Sequence, residues 1–206
     1  MKLVIIILLL ATLNLGCDTS NPYNCSLDES MLAKNDSLIN GPSFQEKHAR
    51  LLKWIDEPSL KTQSSKVFRF STSYPYDYGL GVYTFERTPN GGLLTIKQTF
   101  TDSYRENVNF AHDTLITKRL TQGQWETLEE HFHSNCFWTI PTLSNRRGLD
   151  GRNLVLEAYD PEAQNPINHI YHIAGRWSPP DSTEFGQISY YLEGFGGQEI
   201  WRDLEE

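Results

Sequence analysis

Three cysteines and no Cys-x-x-Cys pair leave no zinc-finger spacing, so a cysteine-based metal site is not expected. The chain also lacks a Gly-x-Ser-x-Gly elbow, a His-Glu-x-x-His helix and a glycine-rich phosphate loop, which removes the common hydrolase, metalloprotease and nucleotide-binding signatures. Positive charge is scarce. Lys and Arg number 18 against 26 Asp and Glu, a net charge of −8, and the basic residues form no cluster. Nucleic acid is therefore not an expected partner, nor is a membrane held by charge alone. Past residue 42 there is no internal repeat, low-complexity block or interdomain linker.

The chain opens instead with an export signature. Met1 and Lys2 precede an apolar run from Leu3 to Ala11, which has signal-peptide length and falls short of the ~20 residues that span a bilayer. The following Leu13-Asn14-Leu15-Gly16-Cys17 resembles a bacterial lipobox, with Asn14 where the pattern usually has Leu. That resemblance implies cleavage after residue 16 and lipid (palmitate-type) acylation of Cys17. Cell-envelope localisation then follows, with the membrane as a partner through the lipid. Loss of residues 1–16 removes Lys2 and makes the remaining chain more acidic. About 190 residues are left, a length suited to one domain with a sizeable core, which 12% aromatic residues can supply.

If Cys17 is acylated, Cys25 and Cys136 form an even pair in an oxidising compartment, and a bridge would pin the tail to the domain. The alternative is a buried thiol at Cys136 and a free one at Cys25. Residues 17–42 are rich in Asn, Ser and Asp and read as the lipidated cysteine and a solvated tether, leaving 43–206 as the domain.

Periodicity organises the rest. Residues 43–56 read as a helix, with a Ser43/Glu46 capping box and a stripe of Phe44, His48, Leu51, Leu52 and Ile55; His48 reads there as a packed boundary residue. Alternation with period two marks strands near 67–73, 80–88, 93–100 and 112–120, with a hairpin turn at Pro89-Asn90-Gly91-Gly92. Tyr74, Tyr76 and Tyr78 form either a stacking platform or a set of loop anchors. A second helix starts at the Thr121/Gln124 capping box, buries Trp125, Leu128 and Phe132, and ends near Ser134-Asn135. Its His131 and His133 lie two apart, about 200° around a helix, and cannot share one ion. A last helix, capped by Asp181 or Ser182, aligns Phe185, Ile188, Leu192 and Phe195, and Ile200, Trp201 and Leu204 can dock after it. The order is helix, four strands, helix, hairpin, helix: an α+β fold with helices on an antiparallel sheet of about six strands.

The hairpin lies in the stretch 147–180, where charged, aromatic and turn residues concentrate. A reversal centred near Gln164 and Asn165 would set Glu157 opposite His172 and Leu156 opposite Ile173. One face would then be aliphatic. The other would carry a carboxylate beside an imidazole, with Arg176 paired to Glu157 or Asp150.

The motifs Phe137-Trp138-Thr139-Ile140-Pro141, Gly148-Leu149-Asp150-Gly151, Leu156-Glu157-Ala158, Tyr171-His172 and Arg176-Trp177-Ser178-Pro179 follow one another over roughly 121–195. In order and spacing they resemble a family of small exported bacterial proteins of uncharacterised activity, with Ile140 and Ala158 as departures. The resemblance supports the fold and the hairpin and implies no reaction.

Two function classes follow. In the first, the chain is a non-catalytic binding or structural module of the envelope, without a cofactor, that meets an envelope protein or peptide through a surface of Asp150, Arg152, Glu157, His172, Arg176 and Trp177. In the second it is a hydrolase or lyase in which Glu157 or Asp150 orients His172 as base and Arg176 steadies an anion. Against the second stands the missing nucleophile, since Cys136 lies among apolar residues. A metal site of His169, His172 and Asp150 or Glu157 is disfavoured because His169 and His172 lie three apart on a strand.

Overall fold

The computed structural model describes residue 25 and residues 42–73, 79–99, 114–142, 151–163, 165 and 169–196. Six antiparallel strands form one open sheet in the order β4-β3-β2-β1-β5-β6. They are β1 (Val67–Ser73), β2 (Leu80–Thr88), β3 (Gly91–Thr99), β4 (Thr114–Leu120), β5 (Asn153–Tyr159) and β6 (Tyr171–Trp177). Three helices accompany them: α1 (Pro42–Trp54), α2 (Gln122–Ser134) and α3 (Glu184–Gly196). The α+β architecture and its element order are those the periodicity predicts. Among the described residues no helix is long and apolar enough to cross a membrane.

Alternation along the strands gives the sheet two unlike faces. One carries Phe68, Phe70, Tyr83, Phe85, Leu94, Ile96, Leu154, Leu156, Ala158 and Ala174, which α2 and α3 cover with Trp125, Leu128, Phe132, Phe185, Ile188 and Leu192. Phe132 stacks on Phe68 at 4.0 Å between ring centroids. The other face carries Leu80 and Val82, on which α1 and the turn after it lay Leu51, Leu52 and Ile55. A sheet covered on both sides buries every residue of β1 except Ser73, including Arg69. Burial of both faces, rather than of one, is what alternation alone did not announce.

Local chemistry sets the boundaries. Thr121 accepts from the Gln124 amide while the Gln124 side chain accepts from the Thr121 amide, which is the capping box read from the sequence. Two other caps differ from expectation. Helix α1 already includes Pro42, so Ser43 lies inside it, as suits a proline whose missing N–H is lost at no cost in the first turn. At α3 the cap is Thr183, whose hydroxyl accepts from the Gly186 amide, in place of Asp181 or Ser182. Gly91 closes the β2–β3 turn at φ +136°, where a Cβ would lie 2.2 Å from the Leu120 carbonyl oxygen. Only glycine fits there.

Cys25 and Cys136 are joined in a disulfide, with Cα atoms 5.4 Å apart. Cys136 follows the end of α2 in the left-handed region at φ 53°. Of the two cysteine readings, the bridged one holds.

Candidate functional site

Pairing of β5 with β6 is one residue out of the expected register, and the slip changes how Glu157 lies relative to His172 and Arg176. Glu157 faces Ile173, Ala158 faces His172 and Leu156 faces Ala174. The reversal is centred on Asn165 itself, whose side chain accepts from the His169 amide at 3.2 Å and donates to the His169 carbonyl at 2.6 Å, while the Asp160 amide donates to the Ile170 carbonyl. An odd-length connection replaces the even one assumed. Because side chains alternate, that single step puts Glu157 and His172 on opposite faces. The expected carboxylate–imidazole pair does not form, nor does the expected pairing of Arg176 with Glu157.

His172 and Arg176 belong to the aromatic face. His172 is buried beside Phe137 and Trp138, 5.0 and 6.2 Å between ring centroids, with Nε2 2.9 Å from the Ile140 carbonyl. A carbonyl only accepts, so Nε2 carries the proton. Burial pulls the His172 pKa down to about 4, against the smaller upward effect of that hydrogen bond, and keeps the ring neutral. Arg176 donates to the carbonyls of Pro141, Thr142 and Gly175 and lies over the Phe185 ring at 5.3 Å. It ties the 140–142 segment to the β6 edge, beside the Gly175 amide that donates to Thr142. Burial lowers its pKa to about 10.

Glu157 sits on the face under α1, in a polar network of five charged or ionisable side chains besides its own. His48 Nε2 lies 2.7 Å from Glu157 Oε2, the Tyr171 hydroxyl donates to Oε1 at 2.8 Å, and Arg69 Nη1 stands 3.5 Å from Oε2. Arg69 reaches on to Glu57 at 3.2 Å and donates to the Pro58 carbonyl at 2.8 Å. Lys97 closes the far end, 2.8 Å from Glu57 Oε1 and bonded to the carbonyls of Ile55 and Asp56 that end the α1 region. Thr84 donates to Glu57 and accepts from Arg69 Nε.

The electrostatics follow from that geometry. Burial would raise the Glu157 pKa, but the charge and hydrogen bond of His48, then Arg69 and Tyr171, outweigh it and hold the carboxyl at about 2. The same burial, together with the neighbouring carboxylate, raises the Tyr171 phenol. Glu157 is thus an ionised carboxylate with both oxygens engaged, and the group acts as a clamp between α1 and strands β1, β2, β3, β5 and β6.

The remaining candidates scatter. Arg152 pairs with Glu193 of α3 through both guanidinium nitrogens and lies over the Tyr190 ring at 5.4 Å. Trp177 is half-buried at the end of β6, on the α1 face of the sheet. Gly151 holds φ +144°, where a Cβ would clash with the Ser178 hydroxyl. Asp150, Tyr74, Tyr76, Tyr78, Cys17, residues 100–113 and residues beyond 196 lie outside the described residues. His131 stacks on Tyr191 at 3.7 Å, and burial lowers its pKa and that of His133. Among the described residues, no group of three or more His, Cys, Asp or Glu is placed to hold a metal ion.

His48, the partner of Glu157, is legible only as a packed helix residue, and Arg69, Glu57, Lys97 and Tyr171 carry no motif. One signal was present: the α1 stripe needs an apolar face of its own, and Leu80 and Val82 supply it, which places Arg69 beneath a helix. No protein-family model and no curated protein matches the chain.

Proposed function

We propose that the chain is an exported bacterial envelope lipoprotein, acylated at Cys17, whose domain serves as a non-catalytic binding or structural module for an envelope protein or peptide. One observation supports the non-catalytic reading: among the described residues, Glu157 does not converge with the imidazole of His172 and the guanidinium of Arg176. Glu157 is closed off under α1 by His48, Arg69 and Tyr171, while His172 and Arg176 are committed to backbone carbonyls on the other face. Both Glu157 oxygens are engaged, and removing a partner from a buried charge is costly, which supports a structural role for the group. The lipoprotein reading is supported by the Gly16-Cys17 junction after a short apolar run and by a disulfide, which belongs to oxidising compartments.

Two experiments test the two halves. Cys17→Ala should abolish the mass increment of the acylated N-terminus and move the protein from the detergent to the aqueous phase; an unmodified wild-type N-terminus, or unchanged partitioning, contradicts the anchor. Glu157→Gln and His172→Ala should each lower the unfolding midpoint. Variants that keep wild-type stability and lose a binding or turnover activity would establish the enzyme reading instead.

A further inference from the structure

With the acylated cysteine as its premise, the disulfide has a geometric consequence. Cys136 lies at one end of the sheet. Lys66, just before β1, holds Glu129 of α2 and Asp160 just after β5, both at 3.0 Å, and Phe132 stacks on Phe68 near the start of β1. The end of α2, and Cys136 after it, therefore sit where β1 begins and β5 stops. Arg152 and Trp177 mark the opposite end, where β5 begins and β6 stops, about 20 Å away along a seven-residue strand.

Chain length does the rest. From Cys17 to Pro42, where α1 begins, a fully extended chain reaches about 85 Å, but from Cys17 to Cys25 it reaches only about 28 Å. We propose that the Cys25–Cys136 bridge is the effective anchor point of the domain: it shortens the leash to the eight residues 18–25 and holds the Cys136 end within about 28 Å of the membrane. Residues 26–41 then no longer count toward the reach.

The test uses the full-length acylated protein on phosphatidylcholine vesicles that contain a fluorescent acceptor lipid. A donor is attached through an azido amino acid in place of Asn90, which is exposed in the β2–β3 turn at the Cys136 end. A Gly-Ser spacer the length of the leash, inserted between Pro22 and Tyr23, should lower energy transfer to the lipid about twofold or more, because the maximum reach doubles. The same spacer between Ser37 and Leu38 should leave transfer at the wild-type level while the bridge is closed. Opening the bridge with dithiothreitol should lower transfer in the wild type as well. Equal effects of the two spacers in vesicle-bound protein would overturn this proposal alone. Failure of the wild type to float with vesicles would overturn the lipid anchor and the leash with it.

Discussion

Glu157 and His172 are both buried and sit on paired strands in neighbouring register positions, yet one is ionised and the other neutral. Glu157 stays ionised because His48, Arg69 and Tyr171 meet its oxygens, whereas His172 stays neutral because rings and a carbonyl surround it. Burial opposes charge in both places; the partners decide which group yields. The two faces of the sheet thus show two solutions to one problem. One face packs aromatics under α2 and α3 around a neutral His172, with Arg176 at its edge tied to backbone carbonyls, and the other gathers Glu57, Arg69, Lys97 and Glu157 into ion pairs between α1 and the strands.

The sharpest way to break this contrast is to remove the cation that serves both carboxylates. Arg69→Ala leaves Glu57 and Glu157 facing each other in a buried site, and the loss of stability should be about 3–5 kcal/mol. Urea unfolding followed by circular dichroism measures it. A loss within experimental error would mean that the network is solvated and contributes nothing.

Acid titration separates the faces by pH. His172 binds its proton in the unfolded chain at its ordinary pKa of 6.5 and in the folded chain only near 4, so stability is complete above pH 6.5 and falls by about 3 kcal/mol as pH drops to about 4. His172→Gln should flatten that limb. Glu157 acts lower: its depressed pKa contributes stability above about pH 4.5 that is lost as pH falls toward about 2, and Glu157→Gln should flatten this second limb alone. One variant that removed both limbs would contradict the separation of the faces.

The fold was largely legible because patterning and turn chemistry agree along this chain. The strands 67–73 and 80–88, the Thr121 cap and the Asn90-Gly91 turn were each readable from a few neighbouring residues. The site was less legible, for two physical reasons. Register in a hairpin with a long connection depends on where the turn is centred, and Asn165 settles that by side-chain bonds to His169 that spacing does not reveal. Charged residues in an alternating strand normally face water, so Arg69 gives no sign that α1 lies above it. The bridge between Cys25 and Cys136, 111 residues apart, was readable only as one of two alternatives.

The most direct measurement is a pair of double-mutant cycles on unfolding free energy. The first combines His48→Gln with Glu157→Gln, and the second combines His172→Gln with Glu157→Gln. Groups in contact couple by about 0.5–3 kcal/mol, and groups on opposite faces with no shared partner add. Coupling toward the upper end of that range is expected between His48 and Glu157, and additivity between His172 and Glu157. Additivity in the first cycle with coupling in the second would contradict this, by returning the imidazole of His172 to the side of the carboxylate.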